Sequence, residues 1–307
     1  MANSPIFIAG PTAVGKSEIA IALAEKIGGE IISVDSMQVY RGLDIGTAKP
    51  DAATQRKIRH HLIDVCDLSE PFDAAKFVQL ANRAVAEIHS RKKTPIFCGG
   101  TGLYFKAFLD GLGDAPATDP KVRAELEATS LDKLLEELRE RDPAAYEKID
   151  RKNPRRIVRA IEVIRTSGKS FSSQRADWPA QDAAQHQIHL FTRGADDLRR
   201  RMDVRVDEMF RCGLVEETRE LLKHGLAENR TAMQAIGYRQ VVEHLRGERK
   251  LAETIELVKI RTRQFAKRQL TWFRRHANCQ WIELKPEQTV EDILDIFAYK
   301  GQQGLQR

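Results

Sequence analysis

Residues 4–17 read SPIFIAGPTAVGKS, a short apolar run from Ser4 to Ala9 that empties into a glycine-bounded loop. That loop, Gly10-Pro11-Thr12-Ala13-Val14-Gly15-Lys16-Ser17, fits the pattern GxxxxGK[ST]. Apolar residues at Ile19, Ile21, Leu23 and Ile27 then predict a helix. Strand, loop and helix in this order form the context in which the pattern carries chemical meaning. The glycines let backbone N–H groups turn toward phosphate oxygens, and the helix N-terminus adds a favourable dipole. Lys16 supplies a point charge to the outer phosphate, and the Ser17 hydroxyl is a ligand for Mg²⁺. What hangs from the phosphates is left open.

Working outward, Gly28-Gly29 stops the helix, and Glu30 to Val34 is a second strand ending at Asp35. His61 to Val65 is a candidate third strand, Ala74 to His89 a helix, and Thr94 to Cys98 another strand running into Gly99-Gly100-Thr101-Gly102. This alternation predicts an α/β fold: a parallel P-loop-type sheet with helices on both faces and functional loops at the strand C-terminal ends. From about Ala115 the texture turns helical, with Pro120, Pro143 and Pro154 near helix starts. Leu126, Leu131, Leu134, Leu135 and Leu138 form an apolar stripe of core type. Gly168 to Pro179 is polar and loop-like, His186 to Thr192 returns a strand to the sheet, and long helices follow from Leu198. The expected division is therefore 1–114 as the first part of the core, 115–185 as a mainly helical insertion, and 186–307 as the core's continuation with basic helices.

The chain of 307 residues is 42% hydrophobic and 31% charged, enough apolar material for a sizeable core. Mean hydropathy is −0.44, and neither a membrane span nor a secretory signal is recognisable. Four scattered cysteines, Cys66, Cys98, Cys212 and Cys279, show no ligand spacing, which argues against a zinc site or a disulfide framework and for a reduced, cytoplasmic setting. The net charge of +6 is unevenly spread: residues 1–150 hold 19 Lys and Arg against 23 Asp and Glu, residues 151–307 hold 31 against 21. A basic second half suits a polyanionic partner, or is simply a solvated surface. Lys259 to Arg275, KIRTRQFAKRQLTWFRR, concentrates seven basic residues with Phe265, Trp272 and Phe273 interleaved on roughly one helical face. Arginine with aromatics suits RNA, where side chains stack on splayed bases. An amphipathic helix docked on the core has the same pattern, and both readings stand.

Asp35, at the end of an apolar strand, is placed for a Mg²⁺ carboxylate, for a general base facing the phosphate site, or for a turn. Gly99-Gly100-Thr101-Gly102 permits close approach of a ligand. His60-His61 lacks a third ligand and reads as structural.

Several segments together resemble the tRNA dimethylallyltransferase (isopentenyltransferase) family of bacterial type. They are GPTAVGKS (10–17), IISVDSMQVYRGLDIGTAKP (31–50), HHLID (60–64), CGGTGLYFKA (98–107), NPRRIVRAIEV (153–163), AIGYRQ (235–240) and KRQLTWFR (267–274). Val14 departs from the family, which often has a small polar residue there; because backbone groups carry the loop, little should change. The resemblance implies transfer of a dimethylallyl group from dimethylallyl diphosphate to the N6 amine of adenosine 37 of tRNA. It further implies a P-loop core interrupted by a helical insertion.

On that resemblance Asp35 accepts the amine's proton, Thr101 positions the reacting groups, and Lys16 and Arg123 (in DPKVRAEL, 119–126) meet the diphosphate with Mg²⁺ on Ser17. The implied tRNA contacts are Asp35, Ser36, Met37, Gln38, Thr101 and Arg123, then Arg155, Arg156, Ile157, Val158 and Arg159. They continue with Ala235, Ile236, Gly237, Tyr238, Arg239 and Gln240, and end with Lys267, Arg268, Gln269, Leu270, Thr271, Trp272, Phe273 and Arg274. The expected partners are the tRNA anticodon stem-loop and dimethylallyl diphosphate, with no membrane, and the protein is expected to be a monomer. Three rivals share parts of the pattern: a P-loop small-molecule kinase, a prenyltransferase of free adenine nucleotides, and a non-enzymatic RNA-binding NTPase.

Overall fold

The computed structural model describes residues 3–113, 116, 118–174 and 187–303. They fall into two compact units, one from residues 1–109 with 182–307 and one from 110–181.

The larger unit is built on six strands, β1 Ile6–Ala9, β2 Glu30–Val34, β3 His60–His61, β4 Pro95–Gly99, β5 Ile188–Arg193 and β6 Cys279–Leu284. Every pairing is parallel, in the order β3-β2-β4-β1-β5-β6. Its helices are α1 Lys16–Ile27, α2 Ala52–Lys57, α3 Ala74–Ser90 and α4 Gly102–Asp110, whose last residue begins the smaller unit. The smaller unit holds α5 Pro120–Ala128, α6 Leu131–Arg141, α7 Pro143–Lys148, α8 Pro154–Ser167 and α9 Phe171–Gln174. The larger unit resumes with α10 Ala195–Arg211, α11 Leu214–Lys223, α12 Tyr238–Leu245, α13 Leu251–His276 and α14 Val290–Gln303.

Both faces of the sheet are covered, which is why β1, β2 and β4 are near-continuous apolar runs and not alternating ones. Phe7, Ala9, Ile32, Val34 and Phe97 point into one core with Phe77 of α3, Phe105 of α4 and Tyr238 of α12. Ile8, Ile31, Ile96 and Cys98 point to the other, with Leu23 of α1, Met202 of α10 and Ile293 of α14. In the smaller unit Leu126, Leu134 and Leu138 are buried against Ile157 and Ile161, with Leu131 and Leu135 packed at the margin. Pro120, Pro143 and Pro154 each open their helix, where a missing N–H costs nothing.

Three local expectations are corrected. The third strand stops at His61, because Leu62 and Asp64 adopt left-handed backbone, with φ of 61° and 54°, and cannot continue a strand. The polar stretch from Gly168 contains a helical turn at Phe171–Gln174, and its remainder from 175, like His186, lies outside the described residues. The returning strand runs Ile188–Arg193 and gains a parallel neighbour, β6, which the sequence reading did not anticipate. Among the described residues no helix is long and apolar enough to cross a membrane.

Candidate active site

Strand register puts the main sequence candidates at one level. Ala9 and Val34 both pair with Gly99, so Gly10, Asp35 and Gly100 leave three adjacent parallel strands side by side. Gly15 caps α1 with φ of 106°, a left-handed conformation that glycine adopts without strain. Having no side chain, it leaves the first-turn amides of α1 to an anion.

Cations surround this loop. Lys16 Nζ donates to Pro11 O at 3.2 Å and bends back over the loop. Burial pushes its pKa below the ordinary lysine value and Arg205 pushes the same way, while Cys98 and Asp35 oppose the shift. From the other side, Arg193 Nε donates to Val14 O at 2.8 Å, Arg201 Nε to Ala13 O at 2.9 Å, and Arg205 Nη1 to Thr12 Oγ1 at 3.4 Å. Arg205 is also pushed down by burial and by its neighbour Arg201. Three arginines brought to one short loop suit a multiply charged phosphate ligand, with Arg193 Nη1 also paired to Asp197 at 3.1 Å. The sequence reading missed them. The available signals were Arg193 at a strand C-terminal end and the i,i+4 spacing of Arg201 and Arg205.

Asp35 performs the turn role that the sequence left open. Its Oδ1 accepts from Met37 N at 2.8 Å and Gln38 N at 3.3 Å, while Oδ2 makes neither bond. Next to it, Thr101 Oγ1 accepts from Ser36 N at 3.2 Å, and Thr101 N donates to Val34 O at 3.2 Å. Thr101 thus ties the ends of β2 and β4 together.

Among the described residues no group of three His, Cys, Asp or Glu gathers as a metal site. The exposed Ser17 hydroxyl is a single donor, which fits a cation that arrives bound to phosphate oxygens and not one caged by protein. His60 and His61 are structural: Nδ1 of His60 lies 2.7 Å from Ile58 O, and Nε2 of His61 lies 2.7 Å from Glu30.

The basic stretch forms the C-terminal part of α13. Lys267, Arg268 and Arg274 are exposed, Leu270, Thr271 and Trp272 are half-buried, and Gln269 and Phe273 are buried. The expected shared aromatic face is corrected: Phe273 sits in the core while Phe265 faces outward beneath Arg268, 5.9 Å from ring centroid to guanidinium. Arg274 lies over Trp281 at 5.4 Å.

In the 235–240 segment Ala235, Gly237, Tyr238 and Gln240 are buried, Ile236 is half-buried, and Arg239 is exposed. Tyr238 donates to Glu217 at 2.5 Å and accepts from Gly46 N at 3.0 Å, bracing the chain that follows Asp35. In the smaller unit Arg155 and Arg156 are exposed on the first turn of α8, while Ile157 and Val158 belong to its core. Buried Glu162 accepts from Arg159 at 2.7 Å and from Arg123 at 3.4 Å.

Residues 38–276 match the family model described as IPP transferase. The chain is 45% identical over 282 residues to tRNA dimethylallyltransferase 1 of Trichlorobacter lovleyi, covering 90% of this chain and 92% of that one. Identity to the tRNA dimethylallyltransferase of Geobacter sulfurreducens is 44% over 283 residues, with 91% of each covered. Among solved structures, the tRNA isopentenylpyrophosphate transferase of Bacillus halodurans superposes with a TM-score of 0.70 at 38% identity, covering 99% of this chain and 98% of that one. A eukaryotic dimethylallyltransferase acting on tRNA gives 0.74 at 29% identity, with 92% and 74% covered.

Proposed function

Because this chain belongs to the IPP transferase family, we propose that it transfers a dimethylallyl group from dimethylallyl diphosphate to the N6 amine of adenosine 37 of tRNA, beside the anticodon. The observation that carries the reading is the shared level of Gly10, Gly100 and Asp35 on adjacent strand ends. It sets a cation-rich phosphate loop beside a carboxylate.

In this reading the allylic C1–O bond breaks, and its electron pair leaves with the diphosphate. Lys16, the loop amides and the arginines at 193, 201 and 205 stabilise that developing charge. A Mg²⁺ ion, when bound, adds further charge neutralisation at the phosphate oxygens, with Ser17 as its protein ligand. The adenine amine is a weak nucleophile because its lone pair is delocalised into the ring. As the N6–C1 bond forms, Asp35 takes the amine's proton on the oxygen not held by Met37 and Gln38. The target base must leave the anticodon-loop stack to reach a buried carbon, so the enzyme flips it. Exposed Lys267, Arg268 and Arg274, with Arg155 and Arg156 of the helical unit, supply phosphate contacts to the RNA.

The test offers radiolabelled dimethylallyl diphosphate with tRNA, AMP or ATP as acceptor. Label in tRNA alone is expected. Label in AMP or ATP would favour the free-nucleotide prenyltransferase, and ATP turnover without RNA would favour the kinase.

A further inference from the structure

We propose that Gln269 is a positioning residue that sets the spacing between the phosphate loop and the loop carrying Thr101, and that it is not an RNA contact. The proposal rests on the phosphate loop being the diphosphate site.

Gln269 lies in the basic run of α13, between exposed Arg268 and half-buried Leu270, yet its side chain points inward and is buried. Both ends of its amide are engaged. Oε1 accepts from Thr12 N at 3.0 Å and Nε2 donates to Gly100 O at 3.0 Å. The partners are backbone groups of two different loops, 257 and 169 positions away in sequence. A main-chain donor and a buried main-chain acceptor on either side of one buried side chain ask for a group that accepts at one end and donates at the other. Glutamine has that group and the reach.

Glycine pattern and packing agree. A Cβ at Gly100 would overlap Gln269 Nε2, and one at Gly102 would overlap the ring of Trp272, almost one turn further along α13. The helix is therefore latched onto the strand-end loop at two glycines that flank Thr101. Because Thr101 in turn accepts from Ser36 N, a connected path runs from Thr12 through Gln269 and Gly100 to the Asp35 turn. The leaving diphosphate and the proton acceptor stand at the two ends of this path. Their relative placement decides whether N6 meets C1 in a reactive geometry, and small misplacements there are costly in rate.

Gln269→Leu fills the space and leaves both backbone groups unpaired. Gln269→Glu keeps the acceptor for Thr12 N and loses the donor to Gly100 O. Both variants are compared with Arg268→Ala in three measurements on the full chain: calorimetric titration with inorganic diphosphate and Mg²⁺, binding of an anticodon stem-loop RNA, and steady-state transfer. For Gln269→Leu we expect kcat and diphosphate affinity to fall about five- to a hundredfold, the range for leaving buried polar groups unpaired. RNA affinity and the KM for tRNA should stay within about twofold, since no phosphate contact is lost. Gln269→Glu sets a carboxylate oxygen against Gly100 O, two acceptors in a buried place, and should lower the same two quantities at least as far; it carries the test if the leucine variant does not fold. Arg268→Ala should show the reverse pattern. Loss of RNA affinity with diphosphate binding intact, equal loss in both, or no change in either overturns the proposal. A wild-type protein that binds diphosphate but transfers nothing to tRNA would sink the functional reading, while the diphosphate titration would still decide the role of Gln269.

Discussion

Ser36 donates its backbone N–H to the hydroxyl of Thr101 at 3.2 Å, joining the turn after β2 to the loop after β4. The bond fixes the Asp35 turn relative to its neighbour strand, so Thr101 acts on the geometry of Asp35, the proposed proton acceptor. Thr101→Val keeps shape and removes the acceptor. Such a bond is worth about 0.5–1.5 kcal/mol, so kcat should fall by roughly two- to twelvefold with little change in melting temperature. Thr101→Ser should restore most of the rate, and equal kinetics for the valine and serine variants would rule the hydroxyl out.

Asp35→Asn tests the base. Asparagine Oδ1 can still accept from Met37 N and Gln38 N, so the turn should keep its form. Single-turnover transfer should drop about 10²–10⁴-fold while diphosphate and RNA still bind. If diphosphate affinity and its metal dependence deteriorate with the rate, Asp35 serves the cation instead.

Lys16 is held below its ordinary pKa chiefly by burial. A lysine whose folded-state pKa is depressed destabilises the ligand-free fold at every pH below that value. The cost disappears as pH rises from there to the ordinary lysine value. Lys16→Met should therefore melt at a higher temperature than wild type near neutral pH, yet lose transfer, because the charge is needed once diphosphate departs. A lower melting temperature would mean that the bond to Pro11 O outweighs the burial cost.

Glu30, almost wholly buried, titrates the other way. Burial would raise its pKa, but hydrogen bonds from Arg91, His61 and Lys93 outweigh it and hold the carboxyl at about 2. Its contribution is complete above the ordinary value of 4.5 and is lost as pH falls toward 2. Glu30→Gln should cost roughly 3 kcal/mol at neutral pH, the low end for breaking a buried ion pair, and flatten the acid limb of the stability curve. Urea titrations from pH 2 to 7 read both effects, and transfer per folded molecule should not change.

Neutralising Arg268 and Arg274 together should make the log–log salt dependence of RNA binding shallower by about two units, roughly one for each lost phosphate contact. Both are exposed beside an aromatic ring. An unchanged slope would leave them as bracing for Phe265 and Trp281.

What the sequence determined by itself was whatever depends on near neighbours. The β1–loop–α1 unit, the glycine at the start of α1, the proline-led helices of the smaller unit and the paired apolar faces of the strands follow from local backbone preference and periodicity. The motif order along the chain was enough to suggest the family. What only the tertiary structure decided was which distant groups meet. Arg193 and Arg201 reach Val14 and Ala13 across 179 and 188 positions, and a strand end or an i,i+4 spacing in their own segments does not say which distant loop they meet. The strand β6 is recognisable only by pairing with β5, since its burial pattern is too mixed to announce a strand. Gln269 sits within a run whose pattern suits either RNA or a helix docked on the core, and its inward turn follows from two backbone groups that the folded sheet brings beneath α13. Hydrogen-bond demand in a buried place arises only after folding has excluded water, so no local pattern could have carried it.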